Sequence, residues 1–105
     1  MDDAWIEVPG AAGLAAEDVL RFDHGGRTFA LYRDDKGGWF ASDGLCTHEQ
    51  VHLADGFVIG HTIECPRHQG RFDVRTGRAL GAPVCVDLCT HPVTVEDGRV
   101  FVRLG

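Results

Sequence analysis

The sequence predicts an antiparallel all-β domain. Short apolar runs rich in β-branched and aromatic residues recur along it, glycine-containing turns separate them, and 14 of 105 residues are glycine, about double the usual share of roughly 7%. Near the C-terminus, apolar residues alternate on both sides of Asp97-Gly98, the pattern of a hairpin closed by a turn that needs positive φ. Taken in order, Ile6 and Val8 mark a first strand, and a helical turn over residues 14–18 is expected to be marginal because it is short and follows Gly13. Strands follow over residues 19–22 and 28–32, joined at Gly25-Gly26, and over residues 39–41 after Gly37-Gly38. Residues 61–64 read as a further strand, and Val93–Glu96 with residues 99–102 form the final hairpin. No linker, repeat or low-complexity stretch divides residues 1–105, so one domain is the simplest account.

Bulk properties narrow the function. A formal charge of -6 would be repelled by a phosphate backbone but attracted by a basic face of another protein. Arg67, Arg71, Arg75 and Arg78 cluster locally and read as a solvated face or a minor docking contact. The acidic start Met1-Asp2-Asp3-Ala4-Trp5 lacks a secretory pattern, and no apolar run is long enough to span a membrane, so a cytoplasmic protein is expected. In a reducing compartment four cysteines point to metal or redox chemistry before disulfides. A chain of this length has a modest core to which a bound metal centre would contribute folding energy, and no room for a second, catalytic domain.

The middle third breaks the strand texture. Cys46-Thr47-His48 follows Gly44, and Cys65-Pro66-Arg67-His68 follows the strand over residues 61–64. Each segment offers one thiolate and one imidazole, donors that suit iron-sulfur clusters, zinc or copper, whereas calcium and magnesium call for several oxygens. Structural zinc sites usually space two like ligands by two to four residues, a habit that Cys-x-His does not follow. Mixed pairs make sense if each loop serves both metals of a dinuclear centre, its Cys on one iron and its His on the other.

These two segments, the second continuing through Gln69-Gly70-Arg71-Phe72-Asp73, resemble the two-part signature of Rieske-type 2Fe-2S ferredoxins, the carriers that serve bacterial ring-hydroxylating and related catabolic oxygenases. Similarity extends through Thr76-Gly77, through Gly81-Ala82-Pro83, which looks like the family's cluster-covering proline loop, and into the final hairpin. The resemblance implies a Rieske-type antiparallel β-sandwich with a small cluster-binding subdomain over about residues 43–84. It also implies one 2Fe-2S cluster held by Cys46, His48, Cys65 and His68, with both imidazole rings exposed. The implied role is one-electron transfer from a flavin-dependent NAD(P)H reductase to a terminal non-haem iron oxygenase, without chemistry on a substrate by this chain. Gln50, Val51, Gln69 and Pro83 would border the exposed rings and form the docking surface. The sequence departs from the cytochrome-complex branch of the family, whose loop disulfide and cluster-facing Ser and Tyr correspond here to Val51 and Arg67 and to Gly70 and Phe72. Losing those hydrogen bonds is expected to bring the potential toward the lower end of the roughly -150 to +300 mV Rieske window.

Two other patterns compete for attention. His48-Glu49-Gln50-Val51-His52 matches the H-E-x-x-H zinc-protease motif, but that chemistry needs a helix to place both histidines on one face. Cys89-Thr90-His91 copies the first half-motif out of order, so Cys85 and Cys89 read as small apolar residues or free thiols. His24 and His61 stand beside turns and should face solvent. Alternatives to the carrier reading are a Rieske-fold accessory or redox-sensing subunit and a zinc protein using the same Cys and His residues.

Overall fold

The computed structural model describes residues 4–48, 50–67, 69–81 and 86–104. Among the described residues the strands are β1 (Trp5–Glu7), β2 (Asp18–His24), β3 (Arg27–Arg33), β4 (Trp39–Asp43), β5 (Phe57–Ile59), β6 (Thr62–Glu64), β7 (Arg71–Asp73), β8 (Thr90–His91), β9 (Val93–Glu96) and β10 (Arg99–Arg103). They form three sheets, ordered β1-β10-β9, β2-β3-β4-β8 and β5-β6-β7, and every ladder is antiparallel.

Strand β3 organises the packing. Its central residues Phe29, Ala30, Leu31 and Tyr32 are all fully buried, so both of its faces are covered. Because side chains alternate across a strand, Phe29 and Leu31 pack with Phe22, Val100 and Val102 between the four-stranded sheet and the β1-β10-β9 sheet. Ala30 and Tyr32 face the other way, into a second core with Cys46, Leu53, Ile63, Cys65 and Phe72. One strand therefore supports both the sandwich and the smaller three-stranded sheet. Truncating Phe29 or Phe72 would cost about 3–5 kcal/mol, a large part of the stability of a domain this size.

The turns follow local chemistry. Gly25 and Gly26 (φ 60° and 77°) join β2 to β3, and Asp97 and Gly98 (φ 53° and 75°) join β9 to β10, both with the paired positive φ of a tight two-residue hairpin. Between β3 and β4 only Gly37 is left-handed (φ 79°). The Asp34 carboxylate organises that turn by accepting the Lys36 and Gly38 amides at 3.0 and 2.7 Å.

The helical turn expected over residues 14–18 does not form. A single 3-10 turn lies earlier, at Ala11–Gly13, and Leu14 is extended (φ -72°, ψ 123°). Leu14 is drawn into the core, its carbonyl accepts the Arg33 guanidinium at 2.9 Å, and the Glu17 amide donates to the Arg33 carbonyl at 2.8 Å. Tertiary partners thus satisfy the backbone groups that a helix would have paired.

Candidate metal centre

Two loops of matching construction lie beside the β5-β6-β7 sheet, one between β4 and β5 and the other between β6 and β7. The first follows β4, where Leu45 and His52 form an isolated antiparallel bridge and the Cys46 amide donates to the Val51 carbonyl at 3.0 Å. The second is the connection between β6 and β7, where the Cys65 amide donates to the Gly70 carbonyl at 2.7 Å. Each loop is thus pinched at its cysteine by a bond to the carbonyl five residues on. Gln69 turns back toward the second neck with a left-handed backbone (φ 57°).

The necks direct the side chains. Cys46 and Cys65 are 7% and 1% exposed and share one apolar cluster, whereas His48 is exposed on the first loop. The fourth nominated ligand, His68, lies outside the described residues, as do Pro83 and Cys85. Gln50 and Gln69 are exposed, as a docking rim requires, but Val51 is half-buried against the apolar cluster and so also serves packing. Two thiol donors in an apolar interior and an imidazole at the rim suit a group with a soft, water-excluded side and a surface side, and the donor chemistry fits an iron-sulfur cluster.

A buried histidine braces the first loop. The His52 Nδ1 accepts the Ala54 amide at 3.0 Å, capping the 3-10 turn Leu53–Asp55, so its proton is on Nε2 and is directed to the Thr28 hydroxyl at 2.8 Å. Thr28 in turn donates to the Asp23 carboxylate at 2.6 Å. This relay ties the first loop to β2 and β3. Burial, with a smaller contribution from the Arg21 charge, holds His52 below its ordinary value of 6.5 against the opposing pull of Asp55 and Asp23. A glycine is required beside it, since a Cβ on Gly44 would collide with the His52 ring. These facts exclude the H-E-x-x-H reading, because both nitrogens of His52 already serve the fold. The sequence carries no local sign of the His52–Thr28 link, since the two residues stand 24 positions apart.

Farther along the chain, the Thr47 hydroxyl donates to the Val86 carbonyl at 2.7 Å, anchoring the first loop to the segment that precedes β8. Deeper in the same core the Tyr32 hydroxyl pairs with Ser42 at 2.7 Å, and burial pushes the Tyr32 phenol far above its ordinary value. Cys89 is an exposed thiol, and His24 and His61 are exposed as expected. Arg67, Arg71, Arg75 and Arg78 are likewise exposed. The Arg75 guanidinium pairs with Asp73 at 2.9 Å and, chiefly through that hydrogen bond, holds the carboxyl below its usual range. Among the described residues, Asp43, Cys89 and His91 bring three potential ligand atoms within 4.8 Å of one another. That group is distinct from the two loops and was not anticipated as a unit, since nothing local marks Asp43. None of the described helices is long and apolar enough to cross a membrane.

Comparison with known proteins agrees with this architecture. A family model described as a Rieske [2Fe-2S] domain matches residues 4–92. The chain is 45% identical over 105 residues to the ferredoxin component of the naphthalene 1,2-dioxygenase system of Pseudomonas aeruginosa, covering 100% of both chains. It is 50% identical over 104 residues to the ferredoxin component of the 2,4-dinitrotoluene dioxygenase system of Burkholderia sp. (strain RASC), covering 99% of each. Among solved structures, a chain from the complex of reduced oxygenase and oxidized ferredoxin in carbazole 1,9a-dioxygenase superposes with a TM-score of 0.89 at 32% identity, covering 97% of this chain and 94% of that one.

Proposed function

Because this chain belongs to the Rieske [2Fe-2S] domain family, we propose that Cys46, His48, Cys65 and His68 hold its cluster and that it carries single electrons between a reductase and a terminal oxygenase of a catabolic dioxygenase system. The supporting observation is the pair of pinched loops with their two cysteines buried in one apolar cluster. The matches to ferredoxin components of dioxygenase systems cover 99–100% of both chains. In this reading residues 1–105 are one domain, with the cluster subdomain over about residues 43–84, and the protein works in the cytoplasm. The reductase is a flavin-dependent NAD(P)H enzyme, and the oxygenase carries the substrate chemistry at its own non-haem iron.

When bound, the cluster accepts and releases one electron. The chain supplies the surroundings. Buried Cys46 and Cys65 keep water from the thiolate side, and the necks hold both loops in place before a partner arrives. His48, Gln50 and Gln69 are exposed, and in this reading the two glutamines form part of the docking rim around the His48 ring. The net charge of -6 attracts a basic docking face and makes the encounter salt-sensitive; electron-transfer encounters are small and transient as a class.

Low-temperature EPR of the dithionite-reduced protein tests the ligand set. A rhombic signal with an average g below that of all-cysteine clusters is expected, and a colourless protein without acid-labile sulfide would refute the proposal. Reconstitution with an NAD(P)H-flavin reductase and a dioxygenase tests the role. Product should form only when this protein is added, with a rate that falls as salt rises.

A further inference from the structure

We propose that Asp43, Cys89 and His91 form a second, mononuclear metal site, apart from the two loops, that takes a borderline divalent cation of the zinc class. Sheet register brings the three together. Strands β4 and β8 pair Ala41 with His91 and Ser42 with Thr90, and the Asp43 amide extends the ladder to the Cys89 carbonyl at 2.9 Å. Asp43 therefore lies across from Cys89, while His91 stands two positions along the same strand, which puts all three side chains on one face. Their ligand atoms fall within 4.8 Å of one another, and His91 Nε2 is already 2.8 Å from Asp43 Oδ1.

The donor set selects the ion. One thiolate, one imidazole and one carboxylate leave a fourth position for water, as zinc with three protein ligands does, whereas a single carboxylate is too few oxygens for calcium. Metal–ligand bonds of about 2.0–2.3 Å place tetrahedral donors roughly 3.3–3.8 Å apart, so the His91–Asp43 contact at 2.8 Å opens by about half an ångström while separations of up to 4.8 Å close by up to about 1 Å. The imidazole is the fixed member, 10% exposed and set edge-on against Phe29 at a centroid distance of 5.3 Å. Cys89 is exposed and can turn to meet it. It borders an open groove of about 440 Å³ that also contains Asp43, Leu45 and Thr47, which gives the ion a path from solvent. Binding breaks the S–H bond of Cys89 and the Nε2–H bond that His91 directs at Asp43, and forms sulfur–metal and nitrogen–metal bonds. It leaves the neutral imidazole with its proton on Nδ1 and releases one proton net to water, with no change of oxidation state.

One group opposes the ion. Arg27 lies over the Phe29 ring at 4.9 Å and reaches the same Asp43 oxygen at 3.4 Å. Its charge competes for the carboxylate, so its removal should tighten binding.

Calorimetric titration of Zn²⁺ into the cluster-loaded protein, with metal analysis after gel filtration, tests the site. One equivalent of zinc per chain is expected, with one proton released and the visible spectrum of the cluster unchanged. Cys89→Ser, at an exposed position that leaves the fold intact, should weaken binding at least about tenfold, His91→Gln should do likewise, and Arg27→Ala should strengthen it a few-fold. Absence of a saturable one-equivalent site would overturn the proposal. So would equal affinity in Cys89→Ser, or zinc uptake that bleaches the cluster, which would place the ion in the loops instead.

Discussion

The triplet Cys-Thr-His occurs twice in this chain, and the two copies have opposite exposures. At residues 46–48 the cysteine is buried and the histidine exposed; at residues 89–91 the cysteine is exposed and the histidine is mostly covered. The first copy begins a loop whose neck bond turns Cys46 inward while the chain beyond it arches toward solvent. The second runs into a β-strand, where residues two apart share a face and their exposure depends on what packs against that face. Phe29 covers His91, and the open groove leaves Cys89 accessible. The same three letters thus offer a buried sulfur with a rim imidazole in one place and a surface thiol beside a fixed imidazole in the other. Spacing between ligands is informative only together with the backbone that carries them.

The sharpest way to break this comparison is to remove one sulfur from each copy. Cys46→Ser should reduce iron and acid-labile sulfide to background, and Cys65→Ser should do the same, whereas Cys89→Ser should retain the full complement of both. Cluster loss in Cys89→Ser would erase the distinction between the copies.

The loop frame can be challenged next. A Cβ on Gly56 would collide with the Glu64 backbone carbonyl, which cannot move without disturbing the approach to Cys65. Gly56→Ala is expected to cost about 2–3 kcal/mol in denaturant unfolding. Gly13→Ala, with nothing within 4 Å of the added atom, should stay within about 0.5 kcal/mol of the parent. Removing the brace on the first loop should have an intermediate effect. Thr28→Val leaves the His52 Nε2 proton without its acceptor and should lower stability by about 1–2 kcal/mol.

The smallest effect is a pH dependence. His52 titrates below its ordinary value of 6.5 when folded, chiefly because it is buried, so the unfolded chain takes up its proton first. The contribution of neutral His52 is complete above about pH 6.5 and is lost as pH falls through the lowered folded-state value. The carboxylates held low by their partners, Asp23 and Asp73, add their own loss only below about pH 4. Thermal unfolding between pH 8 and pH 5 should show the decline, and His52→Gln should flatten it.

Much of the fold was legible because its signals are local. The apolar run over residues 28–32 marks a strand, and Gly25-Gly26 and Asp97-Gly98 specify hairpins through the positive φ that they accept at low cost. Cys46, His48 and Cys65 could be singled out because their residue types and spacing are rare in combination. The helical turn over residues 14–18, marginal on local grounds, is decided against by the place Leu14 takes in the core and by Arg33 holding its carbonyl, contacts that no window around Leu14 contains.

By itself the sequence determined what is encoded within a few neighbouring residues: the alternation of strands, the tight turns, and the pairing of one thiol with one imidazole in each of two segments. Only the tertiary structure decided which of two identical triplets would bury its sulfur, that His52 would brace a loop through Thr28, and that Asp43 would join Cys89 and His91 across a sheet. Those outcomes depend on the register between strands far apart in the chain, and register is set by the burial of whole faces, a cooperative property of the folded molecule that no single segment carries.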